Sequence, residues 1–390
     1  MQDRRIWLIV LGLSIGPAVS NGFARFAYGL ILPSMQQELA WSFTAAGWIN
    51  TTNAIGYLIG ALLALRYVQR LGAGRVFVLG MVLTSVALIC SGLTRELWLL
   101  SLFRIFAGIG SAPVFIAGGV LVSSLFQNNS SRSALAIAIY FGGGGLGMLL
   151  TGLVIPLMLD RLGSSAWPQT WLFLGVASTI SLLPAVWAVR AIRQQPDEPK
   201  DGKASRGLKV TRILPALTAY FMFGVGYFVY MTFLVAWMRI QGDGVELVIA
   251  TWSVLSVMVM LSPFVWRSIL AASTGGAAIA LTLLFTAFGT LMPLLVDGAV
   301  GLLLSATLFG LAFFMVPGAV TNFSKKNYPR ELWGTAVSLF TIVFAIGQMI
   351  GPAAAGWIAD QTNSLTPGLA AAGVVLLIGA VSGVLQRRVN

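Results

Sequence analysis

A chain of 390 residues, 57% hydrophobic and only 9% charged, does not have the polar residues needed to coat a soluble globule, in which about 25% of residues are charged. The net charge of +12 comes from basic residues scattered over many short stretches. They form no continuous face, which excludes nucleic acid as a partner. Histidine is absent and Cys90 is the single cysteine, so no disulfide framework, zinc-ligand set, Ser-His-Asp triad or Cys-His pair can be assembled. Neither a catalytic role nor a metal or cofactor is expected.

The apolar residues fall in long runs, and about 20 such residues carry a helix across the hydrocarbon core. The runs predict an all-α membrane protein with twelve transmembrane helices, near 6–33, 44–65, 76–94, 97–125, 133–158, 170–189, 213–238, 247–266, 268–296, 298–324, 332–359 and 361–386. The first run follows Met1–Arg5. It is too long for a signal peptide and no small-residue cleavage site follows it, so it reads as an uncleaved first helix.

An even number of spans puts both termini on one side, and Lys and Arg gather on the cytoplasmic side. With the N-terminus inside, nineteen basic residues fall in cytoplasmic segments. The external loops hold three, Arg95, Arg161 and Arg239. Both termini are therefore expected in the cytoplasm, with the lipid bilayer as the chain's surroundings.

The longest hydrophilic stretch, 190–212, includes Gln194-Gln195-Pro196-Asp197-Glu198-Pro199-Lys200 between spans six and seven. It divides the chain into a bundle at 1–190, a cytoplasmic linker at 191–212 and a second bundle at 213–390. The halves look related. Gly22-Phe23-Ala24-Arg25-Phe26-Ala27-Tyr28 and Gly224-Val225-Gly226-Tyr227-Phe228-Val229-Tyr230 align at a constant offset of 202, with Gly, Phe and Tyr in common. Trp48 and Trp252 in spans two and eight, and Asp160 and Asp360 at the ends of spans five and eleven, add to this. A six-plus-six repeat places a solute site near the midplane.

With these residues in view, the chain resembles the major facilitator superfamily, and within it the YbfB/YjiJ-type branch, over essentially its whole length. The resemblance is carried by Gly22–Tyr28 continued as Gly29-Leu30-Ile31-Leu32-Pro33, by Gly47-Trp48-Ile49-Asn50-Thr51-Thr52-Asn53-Ala54-Ile55-Gly56-Tyr57, and by Tyr220-Phe221-Met222-Phe223-Gly224-Val225-Gly226-Tyr227. It implies a carrier whose two bundles rock around a central site lined by spans one and four, in a bacterial inner membrane. Where the superfamily has Gly-x-x-x-Asp-Arg-x-Gly after span two, this chain has Leu65-Arg66-Tyr67-Val68-Gln69-Arg70-Leu71-Gly72, without the acid. Gly351-Pro352 in span eleven resembles a pattern of exporters, whereas span five has Gly142–Gly145 and Gly147 without a proline.

Only Arg25 and Arg104 lie inside predicted spans, roughly 12 Å and 10 Å from the outer ends of their helices at 1.5 Å per residue. No Asp or Glu falls inside any span. Buried ionisable groups in membranes mark function, and a guanidinium matches a carboxylate or phosphate. Two readings stand side by side for each arginine. One or both receive an anionic substrate, or they bond helix carbonyls or snorkel to water.

Asn21, Arg25 and Tyr28 share a face at helical spacing, as do Asn50, Asn53 and Tyr57. Tyr220, Phe223, Tyr227 and Tyr230 form an aromatic stripe. With Arg104 and Trp252 these residues are the candidate binding set, set against ordinary interhelical bonding of the Asn residues and interfacial placement of the Tyr residues. Tyr140 and Gln348 are further candidates, and the glycine clusters read as close helix packing.

The expected function is a secondary or facilitative carrier, acting as a monomer, for a small organic anion of carboxylate type. The alternative is an exporter of amphipathic or drug-like compounds. A membrane sensor without flux is the third class. The lack of an intramembrane acid favours uniport or anion exchange over a carboxylate proton relay, with Glu38 the one acid able to serve if it lies deep.

Overall fold

The computed structural model describes residues 2–126, 129–192 and 210–389, with only the backbone at Gln2, Ser130 and Arg330. Among them, twelve helices are long and apolar enough to cross a membrane. They are α1 (Asp3–Leu39), α2 (Phe43–Leu71), α3 (Ala73–Ser91), α4 (Leu97–Ser123), α5 (Ser130–Leu162), α6 (Trp167–Ala191), α7 (Leu214–Ile240), α8 (Val245–Ala272), α9 (Ala277–Leu295), α10 (Gly298–Asn327), α11 (Arg330–Thr362) and α12 (Thr366–Leu385). No strand occurs among the described residues. Most of the expected linker, from 193 to 209, lies outside the described residues.

Several helices exceed their predicted spans, because a helix continues past the hydrocarbon and its terminal turns can be polar. α1 runs six residues beyond the predicted end at 33, which puts Arg25 nearer mid-helix than expected. The predicted break at Arg267 is absent. α8 continues to Ala272 and carries Arg267 as an exposed helical residue. The chain turns instead at Ser273–Gly276, where Lys326 Nζ donates to the carbonyls of Leu270 (3.0 Å) and Ser273 (2.8 Å) and satisfies the helix end. α10 is interrupted at Phe314, just before Pro317, whose missing N–H removes a helical bond at this point.

The chain forms two compact units. The first comprises Met1–Trp41, Trp48–Pro199 and Asp243–Ile249. The second comprises Ser42–Gly47, Lys200–Gly242 and Ala250–Asn390. Taken separately, each has the same internal plan. In the first unit α3 packs on α4 and α6, and α1 packs on α5 and α6. In the second α9 packs on α10 and α12, and α7 packs on α11 and α12. Every pair is reproduced six helices later, a stronger sign of duplication than the residue matches. The Trp48–Trp252 match does not belong to it, since Trp48 is exposed and Trp252 is fully buried.

The close pairs are built on glycine. A methyl at Gly143 would fall on the Ser14 carbonyl of α1, and one at Gly351 on the Val225 carbonyl of α7. This is the packing role expected of both clusters. Within the second unit Asp360, in the last turn of α11, accepts hydrogen bonds from the backbone N–H of Phe43 (2.7 Å) and of Thr44 (2.9 Å) and from the Thr44 hydroxyl. It thereby caps the N-terminus of α2, whose first N–H groups have no partner within their own helix.

Candidate functional site

The first unit holds both predicted cations. Residues Ala18–Phe26 of α1 are wound as a π-helix, with the Ala27 N–H bonded five residues back to the Gly22 carbonyl. Single π turns within helices recur at functional sites, and here nine consecutive buried residues adopt the wider turn. Pro17 closes the preceding α-helical stretch, and the N–H it lacks leaves the Leu13 carbonyl without its helical donor just before the widened segment.

Arg25 and Tyr28, at either side of the end of this segment, meet different neighbours. Arg25 meets α2, its Cζ lying 4.2 Å from the centroid of the Tyr57 ring and its guanidinium donating to the Tyr57 hydroxyl. Tyr28 turns to α4 and lies fully buried with its ring 5.4 Å from Arg104 Cζ. It packs against that cation and does not share a face with Arg25.

Arg104 is 0% exposed, flanked by Tyr28 and by the Trp171 ring, 5.0 Å away. Its Nη1 donates to the Ala24 carbonyl at 2.6 Å, so α4 is tied to the π segment through a backbone oxygen. Its Nε and Nη2 have no hydrogen-bond partner among the described residues. Arg25 is 4% exposed. Neither arginine snorkels, and each lies within the other's electrostatic field.

Two glycines bring α2 and α4 close enough to complete this cluster. A Cβ at Gly56 would fall on the Ile105 carbonyl, and one at Gly108 on the Asn53 carbonyl. At that approach Asn53 donates to the Arg104 carbonyl at 3.1 Å, while its Oδ1 has no partner among the described residues. Asn21 and Asn50 are buried as well, and Asn21 Nδ2 is a second polar atom without a partner among the described residues. Tyr140 donates to the carbonyls of Val114 (2.9 Å) and Phe115 (3.1 Å). It thus ties α5 to α4.

Every acidic residue of the described chain lies in a loop or in a terminal turn of a helix. Glu38 is in the last turn of α1 and paired with the exposed Arg95 at 3.1 Å. The deep position that would suit a proton carrier is not where the structure puts it.

In the second unit the aromatic stripe is longer than the sequence showed. Tyr220 and Phe223 stack with centroids 5.9 Å apart, and Phe223 and Tyr227 at 4.6 Å. Phe344 of α11 stacks on all three at 4.8–5.7 Å. Phe313 of α10 continues the ladder from Tyr227 at 5.9 Å, and Phe309 follows it at 4.9 Å. Phe309, Phe313 and Phe344 were missed because no spacing rule links residues on different helices.

Gln348 Nε2 donates to the Tyr227 hydroxyl. Tyr230 is part of the packed interior, its ring 3.9 Å from Phe309 and its hydroxyl 2.7 Å from Ser305 Oγ. It is held as Tyr28 is held six helices earlier, against the fourth helix of its unit. Trp252 is fully buried, and its Nε1 has no partner among the described residues.

A sequence profile of the family described as "Uncharacterised MFS-type transporter YbfB" matches residues 17–383. The gentisate transporter of Corynebacterium glutamicum is 22% identical, over 98% of this chain and 87% of its own. Monocarboxylate transporter 11 of Mus musculus is 26% identical over 96% and 86%. A crystal structure of a POT family transporter in complex with a thioalcohol-conjugated peptide superposes with a TM-score of 0.75 at 14% identity, over 95% of this chain and 94% of that one. At that identity the likeness is one of fold.

Proposed function

Because the chain belongs to the YbfB-type family of the major facilitator superfamily, and is therefore a multi-pass membrane transporter and not an enzyme, we propose that it carries a small organic anion by alternating access. The carboxylate is received by Arg25, with Arg104 as its buried companion. The observation that carries this reading is the pair itself. Two guanidinium groups, 4% and 0% exposed, belong to neighbouring turns of the fold, Arg104 donating to the carbonyl of Ala24, the residue next to Arg25. Burying a charge costs several kcal/mol unless it is compensated, and two like charges raise that cost. An incoming carboxylate lowers it.

Arg104 bonds a helix carbonyl through Nη1 and has Nε and Nη2 to spare. It supports the fold and adds positive potential, while Arg25, resting on Tyr57, makes the direct contact. Relatives named for gentisate and monocarboxylates support a carboxylate cargo. The ladder of Tyr220, Phe223, Tyr227 and Phe344 suits an aromatic acid, and the buried indole N–H of Trp252 suits an oxygen acceptor. Among the described residues the acids lie in loops or terminal helix turns, which favours uniport or anion exchange over a carboxylate proton relay.

The test is a thermal-shift panel of hydroxybenzoates, aliphatic monocarboxylates, phosphate esters and hydrophobic cations on the purified protein. It is followed by counterflow of whichever ligand raises the melting temperature. Stabilisation and counterflow by carboxylates support the reading. Stabilisation by hydrophobic cations alone overturns it in favour of export of amphipathic compounds.

A further inference from the structure

The second unit carries a cavity of about 780 Å³ that lies apart from the candidate site residues. Its walls are α9 and α12, through Ala280, Leu281 and Leu284 on one side and Leu377, Val381 and Val384 on the other. Leu281, Val381 and Val384 are exposed, so the groove opens on the outer surface of the unit. Arg387 and Arg388 line its end, and no acidic residue lines it among the described residues. From Leu377 to Val384 the groove follows about seven residues of helix, roughly 10 Å. One leaflet of the hydrocarbon core is about 15 Å deep. The groove therefore spans about two-thirds of one leaflet, room for a long stretch of an acyl chain.

The arginine end is fixed by the fold. The Gly276 N–H donates to the Gln386 carbonyl at 2.9 Å. Gln386, 4% exposed, accepts from Ala216 N–H at 3.1 Å and donates to the Arg212 carbonyl at 3.1 Å. The Val389 N–H donates to Asn327 Oδ1 at 2.8 Å, and Asn327 Nδ2 donates to the Thr274 carbonyl at 2.8 Å. A segment that would otherwise fray is thus pinned to the start of α7, the turn before α9 and the end of α10. Its two exposed cations are held at the mouth of an apolar slot. Arg387 and Arg388 lie on the side where the chain's basic residues gather, which their distribution assigns to the cytoplasm, and the facing leaflet is the one rich in anionic lipid.

We infer that the groove between α9 and α12 binds one anionic phospholipid of the cytoplasmic leaflet, its acyl chain along Leu281, Leu377 and Val381 and its phosphate at Arg387 and Arg388. The site is independent of the transported solute.

The test is native mass spectrometry of the full-length protein released from detergent, with phosphatidylglycerol, phosphatidylcholine and inorganic phosphate offered in turn. The wild type retains one phosphatidylglycerol in preference to phosphatidylcholine, and inorganic phosphate does not displace it. R387Q/R388Q lowers the phosphatidylglycerol affinity roughly 25-fold, about fivefold per arginine. Leu281→Trp, which fills the slot from an exposed position on its wall, lowers retention with both arginines in place. R4Q/R5Q, which removes the same charge from the other terminus, leaves retention unchanged. Melting curves at the wild-type temperature establish that each variant is folded. Retention undiminished in R387Q/R388Q, equal loss in R4Q/R5Q, unchanged retention in Leu281→Trp, or displacement by inorganic phosphate would each overturn the assignment.

Discussion

Replacing Arg25 by Gln removes the charge while leaving a polar side chain of similar reach. In the folded protein the guanidinium lies 4.2 Å from the Tyr57 centroid and donates to its hydroxyl, so a carboxylate is met by a fork whose flat face is already fixed. A hydrogen bond to a charged group contributes about 1.5–3 kcal/mol, and about 1.4 kcal/mol is a factor of ten. R25Q is therefore expected to raise the KM for a carboxylate between roughly 10- and 150-fold, with the maximal rate less affected if the contact is equally strong throughout the cycle. R25K keeps the charge but loses the planar fork and falls between wild type and R25Q. Tyr57→Phe keeps the ring under the cation and loses only the hydroxyl, about 0.5–1.5 kcal/mol, so it raises KM by no more than about tenfold. The assay is initial uptake of a radiolabelled hydroxybenzoate into proteoliposomes, with the methyl ester as a neutral competitor. The ester competes equally well against wild type and R25Q if Arg25 reads charge. An R25Q protein that melts like wild type and keeps its KM within twofold would refute the role given to Arg25.

Three further predictions concern the framework around the arginines. Gly56→Leu or Gly108→Val sets a side chain against a neighbouring backbone carbonyl; overpacking costs about 1–3 kcal/mol, and either variant should melt well below wild type in detergent, whereas Gly142→Ala, with open space around its Cβ, should not. Asp360→Ala deletes all three bonds to the start of α2 and should lower stability by about 2 kcal/mol, as loss of a strong cap does; Asp360→Asn retains one acceptor oxygen and should fall between, an order that chemical-denaturant melts monitored by tryptophan fluorescence would check. Gln348→Leu removes the partner of the Tyr227 hydroxyl and should cost only about 0.6–1.7 kcal/mol, visible as a small melting shift with the fold intact.

The helix count, the two arginines and the repeat were legible because each rests on a local property of the chain. Apolar length is additive along the sequence, and a charge inside an apolar run is conspicuous wherever it falls. The π-helical turn was not legible through periodicity, which presupposes the α-helical spacing that the turn violates. The signal available was Pro17, a residue that denies α1 a donor just before the widened stretch. The contacts that distinguish Arg25 from Arg104 were not legible for another reason. Both are lone cations in apolar helices, and only the fold reveals that one bonds the Ala24 carbonyl while the other rests on a phenol. The misplaced break at Arg267 has the same origin. A single charge on a helix surface and a charge in a turn look alike until Lys326, from another helix, shows which carbonyls need a cap.

Duplication of the packing without duplication of the chemistry gives the two units different tasks. Tyr28 and Tyr230 occupy matching positions and are held alike, each buried against the fourth helix of its unit. Three residues earlier the match ends, since Arg25 stands where the second unit has Tyr227. A cation at both positions would double the cost of burial, and a single carboxylate could neutralise only one of them. The second unit instead carries a phenol held by Gln348 and extended by Phe344 and Phe313, groups that lie in an apolar medium at little cost. On the proposed reading, the first unit supplies the charge and the second the aromatic surface. The consequence is directional. Arg25→Tyr, which makes the first unit resemble the second, should abolish carboxylate uptake, whereas Tyr227→Leu, which removes the ring, should weaken uptake of aromatic acids by about tenfold and leave aliphatic acids nearly unaffected. If Tyr227→Leu instead depresses both classes equally, the division of tasks between the units is wrong.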